Sequence, residues 1–576
     1  MSTGRVLLVV DLEGVVGVDS VSALVAGTPQ YAQSRAALTR EINATVEGLL
    51  GAGFSHVRVS DSHMSGSEAT NVLAESLHPA AELRFEEDWY SAALFEGVQA
   101  VACLGMHAPG GLNGFAAHTV DPLGSWLCAG RLLSESDIVL ALAAEAGVPA
   151  LFISGDDTLQ AHLGDRVPFV RTKVSLSPTH AASRPSEDVL ADLVRAASLA
   201  PTPLRPLPEA PLRLVFKSAR RAALAAETGA RRVERHQVEV AGASFRERYQ
   251  QALRAASAAS SVLESSLRGP VGSPEFVEDV SALLSLSGPH AASPPSRAEP
   301  AERALRAFLR LSEGSDDESR ALRALILHML EGHAPRAFTR WGLGPILEQA
   351  VEALAAVPRD LGPQVAPGLG MARVDAWYVR HVRGLESSAP PAGELRRYLE
   401  LLEAEGYSIY AWLLGELALA CGVDVRLPFF ERPRRGDAYP ADLYWLTHLF
   451  LVDTHYLHRP LRDARAHEWL EELLLAAPRL IAEGQADLAA EVALCLQCAG
   501  EAGGGVHEAL LELIVQRQQP GGEVKDVVPE EEGAWEVAHT TAAAMLALAG
   551  AEWTAIDNGE TTPPYSPAAP LPQRSE

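Results

Sequence analysis

The chain has 576 residues, 47% of them hydrophobic and 21% charged, with a formal net charge of −26. That length exceeds one hydrophobic core and predicts several domains, and the composition is that of a globular protein rather than a disordered chain. So acidic a balance excludes a nucleic-acid backbone as partner, because phosphate binding needs a basic footprint.

The stretch "RVLLVV" at 5–10 reads as a buried strand. It is followed by "SRAALTREINATVEGLLGAG", whose apolar spacing is helical, and then by the strand "HVRVSDSH". "VQAVACLG" gives a further strand, "SDIVLALAAEAG" a helix ending at Gly147, and "VPALFISGDD" a strand ending in two acids. After "PLRLVFKSA" come a hairpin-like "RRVERHQVEVAG" and a helix beginning near Ser244, a good N-cap residue. Strand and helix in alternation predict an α/β fold, a mostly parallel sheet with flanking helices, over residues 1–265.

Residues 266–300 are rich in Pro, Gly and Ser and read as a linker. From 301 to 556 the pattern is helical without strand signals, which predicts an all-α domain of roughly ten helices, an α/α toroid or solenoid. Residues 557–576 read as a disordered tail. No apolar run reaches the roughly 20 residues of a membrane helix, and no basic segment with an apolar core opens the chain. Five cysteines in so long a chain suggest reduced thiols. Together these lead us to expect a cytoplasmic protein that does not engage a membrane. "CLQC" (Cys495, Cys498) has metal-type spacing but lacks a second Cys/His pair.

Polar residues recur where the strands end. Asp11 and Glu13 stand two apart at the end of an otherwise apolar strand, so their charges fall side by side and need a cation. Asp61 and His63 end the next strand, His107 the one after, and His118 follows a Gly-rich loop. Glu135 opens a helix, where the structural alternative is a capping carboxylate. Ligands collect outside the carboxyl ends of strands in open α/β sheets, and this set is the ligand inventory of a two-metal hydrolase.

The motifs resemble peptidase family M55, the D-aminopeptidases of the DppA type, which carry an SxDxEG signature. "VVDLEG" has the D-x-E-G core, with Val9 in place of the usual serine, and the likeness continues through "DSH", "GMHA", "AAHT", a glutamate ahead of an apolar helix and "SGDD". It spans residues 4 to 265. The resemblance implies two zinc ions per chain held by Asp11, Glu13, His63, His107 and Glu135, with His118 as the catalytic histidine. "AAHT" replaces the family's "SHS", so the hydroxyl before the histidine is absent here. It also implies a homo-oligomer and hydrolysis of an N-terminal amide bond in a small peptide or aminoacyl amide, D-residues included. Asp156 or Asp157 is a candidate to hold the substrate's amino group, the alternative being turn chemistry.

In the helical half, "DLYWLTHLFLVDTHYLHRPL" places His448 and His455 seven apart on one predicted helical face, with Asp453 and His458 nearby, and His539 follows later. Such residues would line the central cavity of a toroid or belong to packing. Two rival functions stand beside the aminopeptidase. One is a maturation hydrolase acting on a peptide-derived natural product recruited by the helical domain, and the other is a non-catalytic metal-binding scaffold.

Overall fold

The computed structural model describes residues 4–63, 70–84, 91–122, 124–260, 267–286, 296–362, 365–386, 390–425, 427, 441–461, 466–526 and 534–553. The chain divides into two compact units, Met1–Ala291 and Ala292–Glu576. The tail 557–576 lies outside the described residues.

The first unit holds strands β1 (Gly4–Val10), β2 (Phe54–Asp61), β3 (Ala81–Arg84), β4 (Ala100–Met106), β5 (Gly124–Cys128), β6 (Arg131–Leu132), β7 (Ala150–Asp156), β8 (Phe169–Ser177), β9 (His180–Ser183), β10 (Leu212–Phe216), β11 (Arg231–Glu234) and β12 (Gln237–Val240). Its helices are α1 (Pro29–Gly51), α2 (Glu135–Glu145), α3 (Asp157–Leu163), α4 (Ser186–Ala197), α5 (Ala219–Glu227), α6 (Phe245–Ser260) and α7 (Pro274–Ser285). The main sheet has the order β3-β2-β1-β4-β7-β8-β9, parallel except for β9. The expected α/β architecture is therefore present.

β1 is buried on both faces. Val6, Leu8 and Val10 join the core with Leu38, Ile42 and Leu193, while Leu7 and Val9 face a second core with Ile138, Trp126 and Leu214. This two-sided burial explains a continuous apolar run instead of alternation. Strand order reverses between β1 and β4, the position where open α/β sheets form their binding crevice.

Two features differ from the sequence reading. A second, antiparallel sheet (β11-β12-β10-β5-β6) covers one side, and β5 pairs with β10, which lies far along the chain. Such a pairing leaves no local signal. Within the stretch read as linker, residues 274–285 form α7, whose Phe276, Val277, Val280 and Leu284 pack on the core containing α1. Its helical spacing was hidden between Pro- and Gly-rich flanks.

The second unit contains α8 (Ala298–Leu311), α9 (Asp317–His333), α10 (Pro335–Arg340), α11 (Gly344–Ala353), α12 (Pro367–Val382), α13 (Ala392–Ala404), α14 (Ser408–Ala420), α15 (Ala441–Asp453), α16 (Ala466–Glu483), α17 (Ala486–Cys498), α18 (Gly505–Arg517) and α19 (Ala534–Trp553). Among the described residues it has no strand, as expected. α8 packs on α19, so the first and last helices meet and close the array on itself. No described helix is long and apolar enough to cross a membrane.

Candidate metal centre

β1 ends at Val10, and the next residues turn sharply against the end of β4: Asp11 N donates to Leu104 O (2.8 Å) and Gly14 N to Gly105 O (2.7 Å). A Cβ on Gly14 would collide with Met106 O and the Gly105 backbone, so the glycine of D-x-E-G is required by close approach of two chains. Gly105, at φ +74°, would in turn place a Cβ on Asp11 O. The turn aims both carboxylates inward, and Leu12 N donates to Asp11 Oδ1 (2.8 Å) and Glu13 Oε2 (3.3 Å).

The other residues converge on this pair. His63 Nδ1 lies 3.0 Å from Glu13 Oε2 and 3.5 Å from Asp11 Oδ1. His107 Nε2 lies 3.4 Å from Asp11 Oδ2 and 3.8 Å from Glu135 Oε1, and His118 Nε2 is 3.7 Å from Glu135 Oε1. Two ligand-type triads result, Asp11–Glu13–His63 and Asp11–His107–Glu135, with Asp11 common to both. Glu13, His107 and His118 form a third grouping, and the His107 and His118 rings stack at 4.2 Å.

Each imidazole is held from behind by a backbone carbonyl. His63 Nε2 donates to Leu24 O (3.1 Å), His107 Nδ1 to Ala108 O (2.9 Å) and His118 Nδ1 to Ala116 O (2.8 Å). That leaves the opposite nitrogen of each ring facing the carboxylates, the outer-shell arrangement that fixes histidine tautomer and orientation at metal sites. His107 Nε2 is fully buried without a hydrogen-bond partner, a costly state that a metal ion relieves. Ligand atoms about 2.0–2.1 Å from one tetrahedral zinc ion lie about 3.4 Å apart, close to the separations here. The residues fit zinc.

Glu135 is free to serve the cluster because α2 is capped by others. Ser134 and Asp137 form a reciprocal capping box, while Glu135 Oε1 accepts only from Val120 N (2.9 Å) among the bonds at this end. His118 is carried on a loop whose Ala116 (φ +48°) and Val120 (φ +70°) adopt left-handed backbone. For a β-branched residue such as Val120 this is costly, and such strain persists where surrounding contacts fix it, commonly at functional sites.

Three carboxyl groups in one dry cluster need positive charge, from protons on imidazoles or from a cation. Burial raises the Asp11 carboxyl above its ordinary value, and the Glu13 charge adds to this. Burial also acts to raise Glu13, but the adjacent His63 draws it well below the carboxylate range. Burial opposes protonation of His63, yet Glu13 and Asp11 hold that ring well above the usual imidazole value. His107 is lowered by burial and by His118, and Glu135 is raised by burial.

Several polar residues take supporting parts. Asp61 accepts from Thr70 Oγ1 (2.8 Å) and Asn71 N (2.6 Å), bracing the turn that carries His63. Asp156 caps α3 by accepting from Leu159 N and also from Ala108 N beside His107, and Asp157 accepts from Ser175 N. Both carboxylates thus take the turn-type bonds that are the alternative to receiving a substrate amine. The buried Lys173, which sequence reasoning missed, donates to Glu13 O (2.8 Å) and Val18 O, pinning the backbone of the 11–18 loop. A single lysine on a strand gave no signal of that role.

In the helical unit, α15 ends at Asp453, and His455 to Leu457 run through three left-handed residues, so His448 and His455 do not share a helical face. His458 stacks on His328 at 3.9 Å, and His448 and His539 line an internal cavity. Cys495 and Cys498 join no metal-type cluster among the described residues.

Fold and cluster together define an open α/β domain with a carboxylate–imidazole ligand set at its topological switch point. Residues 5–254 match the family model Peptidase_M55, described as D-aminopeptidase, and the N-terminal unit is a domain of that family. The D-aminopeptidase of Bacillus subtilis (strain 168) is 27% identical over 173 residues, 29% of this chain. The match spans 62% of that relative's length. A solved structure described as the Zn-dependent D-aminopeptidase DppA from Bacillus subtilis, a self-compartmentalizing protease, aligns with 45% of this chain and 98% of its own, at 22% identity and a TM-score of 0.41.

Proposed function

We propose that the N-terminal unit is a zinc-dependent aminopeptidase that cleaves the N-terminal amide bond of a small peptide or aminoacyl amide, D-residues included. Two zinc ions would be held by Asp11, Glu13, His63, His107 and Glu135. The observation that carries this reading is the pair of buried triads sharing Asp11, with a backbone carbonyl behind the imidazole of each. The family's description as D-aminopeptidase gives the reaction class.

Bound zinc supplies a Lewis acid for the amide carbonyl and lowers the pKa of water to about 7. The chain's residues supply orientation and proton transfer. His118 has the most exposed side chain of the six, at 17% against 6% or less for the others, so substrate approaches from its side. With Nδ1–H held by Ala116 O, its Nε2 takes a proton from the attacking water and returns it to the departing amine. Ala117 precedes it where the family has a serine, so its orientation rests on the Ala116 carbonyl. We also expect self-association through the N-terminal unit.

The test is hydrolysis of a matched panel of D- and L-aminoacyl amides by the full chain, before and after chelation and zinc return. The reading requires hydrolysis that chelation abolishes and zinc restores. Metal-independent hydrolysis, or none on the zinc-loaded protein, would sink it.

A further inference from the structure

The helical unit encloses a cavity of about 480 Å³, within the roughly 300–1,000 Å³ of small-molecule sites. It is walled by apolar side chains such as Leu325, Met371, Leu414 and Leu494 from α9, α12, α14 and α17. Tyr407 and Trp535 also line it yet are exposed by 43% and 47%, so the cavity opens to solvent beside the first turns of α14 and α19.

Its charges are one-sided. Glu318, Asp375, Glu491 and Glu536 line it, and no Lys or Arg does so among the described residues. His539 is already engaged: its Nδ1 lies 3.1 Å from Asp487 Oδ1, and Tyr444 Oη donates to the other oxygen of that carboxylate at 2.6 Å. The same ring presents Nε2 to Glu491 Oε1 only at 3.9 Å. His448 commits Nδ1 to Tyr444 O (2.7 Å), and Thr447 donates to Glu491. Asp375 meets Tyr456 Oη at 3.4 Å. His539, drawn up to about 9 by Asp487 against the pull of burial, faces two carboxyl groups on α17, and Asp375 of α12 also lines the cavity. Burial pushes Glu491 and Asp375 up to about 7, and the Asp487 charge adds to this at Glu491.

We propose that this cavity is a second ligand site, independent of the metal centre, that binds an organic cation: a protonated amine carrying an apolar or aromatic body. The ammonium would pair with Glu491 and Asp375, with Trp535 and Tyr407 offering aromatic faces at the entrance, and the apolar wall would take the body. An anionic ligand would meet four lining carboxyl groups, with no Lys or Arg among the described lining residues to balance them.

The experiment is calorimetric titration of the full chain with 4-phenylbutylamine, against 4-phenylbutanol and 4-phenylbutyrate of similar size. The amine binds and the two others bind at least about tenfold more weakly, the scale of one lost charge-assisted bond. Glu491→Gln and Asp375→Asn each weaken amine binding by about tenfold while far-UV circular dichroism and aminoacyl-amide hydrolysis stay unchanged. Asp11→Ala leaves amine binding intact, which separates this site from the metal centre. Equal binding of amine and alcohol, absence of amine binding, or indifference to both substitutions would overturn the proposal. So would a metal ion retained by Asp11→Ala and lost with Glu491→Gln, which would make the cluster a metal site.

Discussion

Glu41 on α1 should set a pH-dependent stability of the loop that carries Asp11 and Glu13. Its Oε1 accepts from Val16 N at 2.8 Å, while Oε2 is buried without a hydrogen-bond partner. Burial raises the carboxyl from 4.5 to about 7. Below pH 4.5 the group is protonated folded or unfolded and contributes nothing. Between 4.5 and 7 the unfolded chain releases the proton that the folded chain keeps, so stability falls as pH rises, and above 7 the full penalty is present. A shift of that size corresponds to about 3 kcal/mol. Gln cannot ionise but can still accept from Val16 N. The Glu41→Gln protein should therefore gain about 3 kcal/mol relative to the natural chain between pH 4 and pH 8. Urea unfolding across that range, following the transition that the substitution moves, measures the gain. A difference that is flat with pH, or that shrinks as pH rises, refutes the reasoning.

Gly14→Ala should cost about 1–3 kcal/mol or more, because its Cβ meets the Met106 carbonyl and Gly105 backbone; thermal unfolding reads this, and an unchanged Tm would contradict it. His118→Ala should lower turnover about 10²–10⁴-fold, the range for one general acid–base group, with the loss seen in kcat of aminoacyl-amide hydrolysis. Light scattering at micromolar concentration should give a mass above that of one chain, and a strictly monomeric mass would count against self-association.

Five of the six candidate residues could be picked out because each sits one to three positions beyond a buried strand or opens a helix, where an apolar pattern has no use for a charge, whereas His118 stands in the loop between β4 and β5. Asp11, Glu13, His63 and His107 follow β1, β2 and β4 in this way, and neighbouring parallel strands bring their ends together. What the sequence hid depends on contacts distant along the chain. Lys173 reaches Glu13 O across 160 positions, and β5 pairs with β10, whose residues lie far along the chain. The break after α15 was unreadable for another reason: His455, Tyr456 and Leu457 take left-handed backbone with no Gly or Pro to announce it. The α7 helix lay within a composition typical of linkers, although its 276, 277, 280 and 284 spacing is helical.

Asp11 is common to both ligand-type triads proposed to hold zinc, and zinc stoichiometry tests that proposal most directly. The 576-residue chain, purified without chelator and supplied with zinc, should carry two zinc ions per chain by elemental analysis. The His118→Ala protein should keep that content, whereas Asp11→Ala, still folded by circular dichroism, should fall below one. A natural chain that holds no zinc, or an Asp11→Ala chain that holds as much as the natural one, would contradict the account.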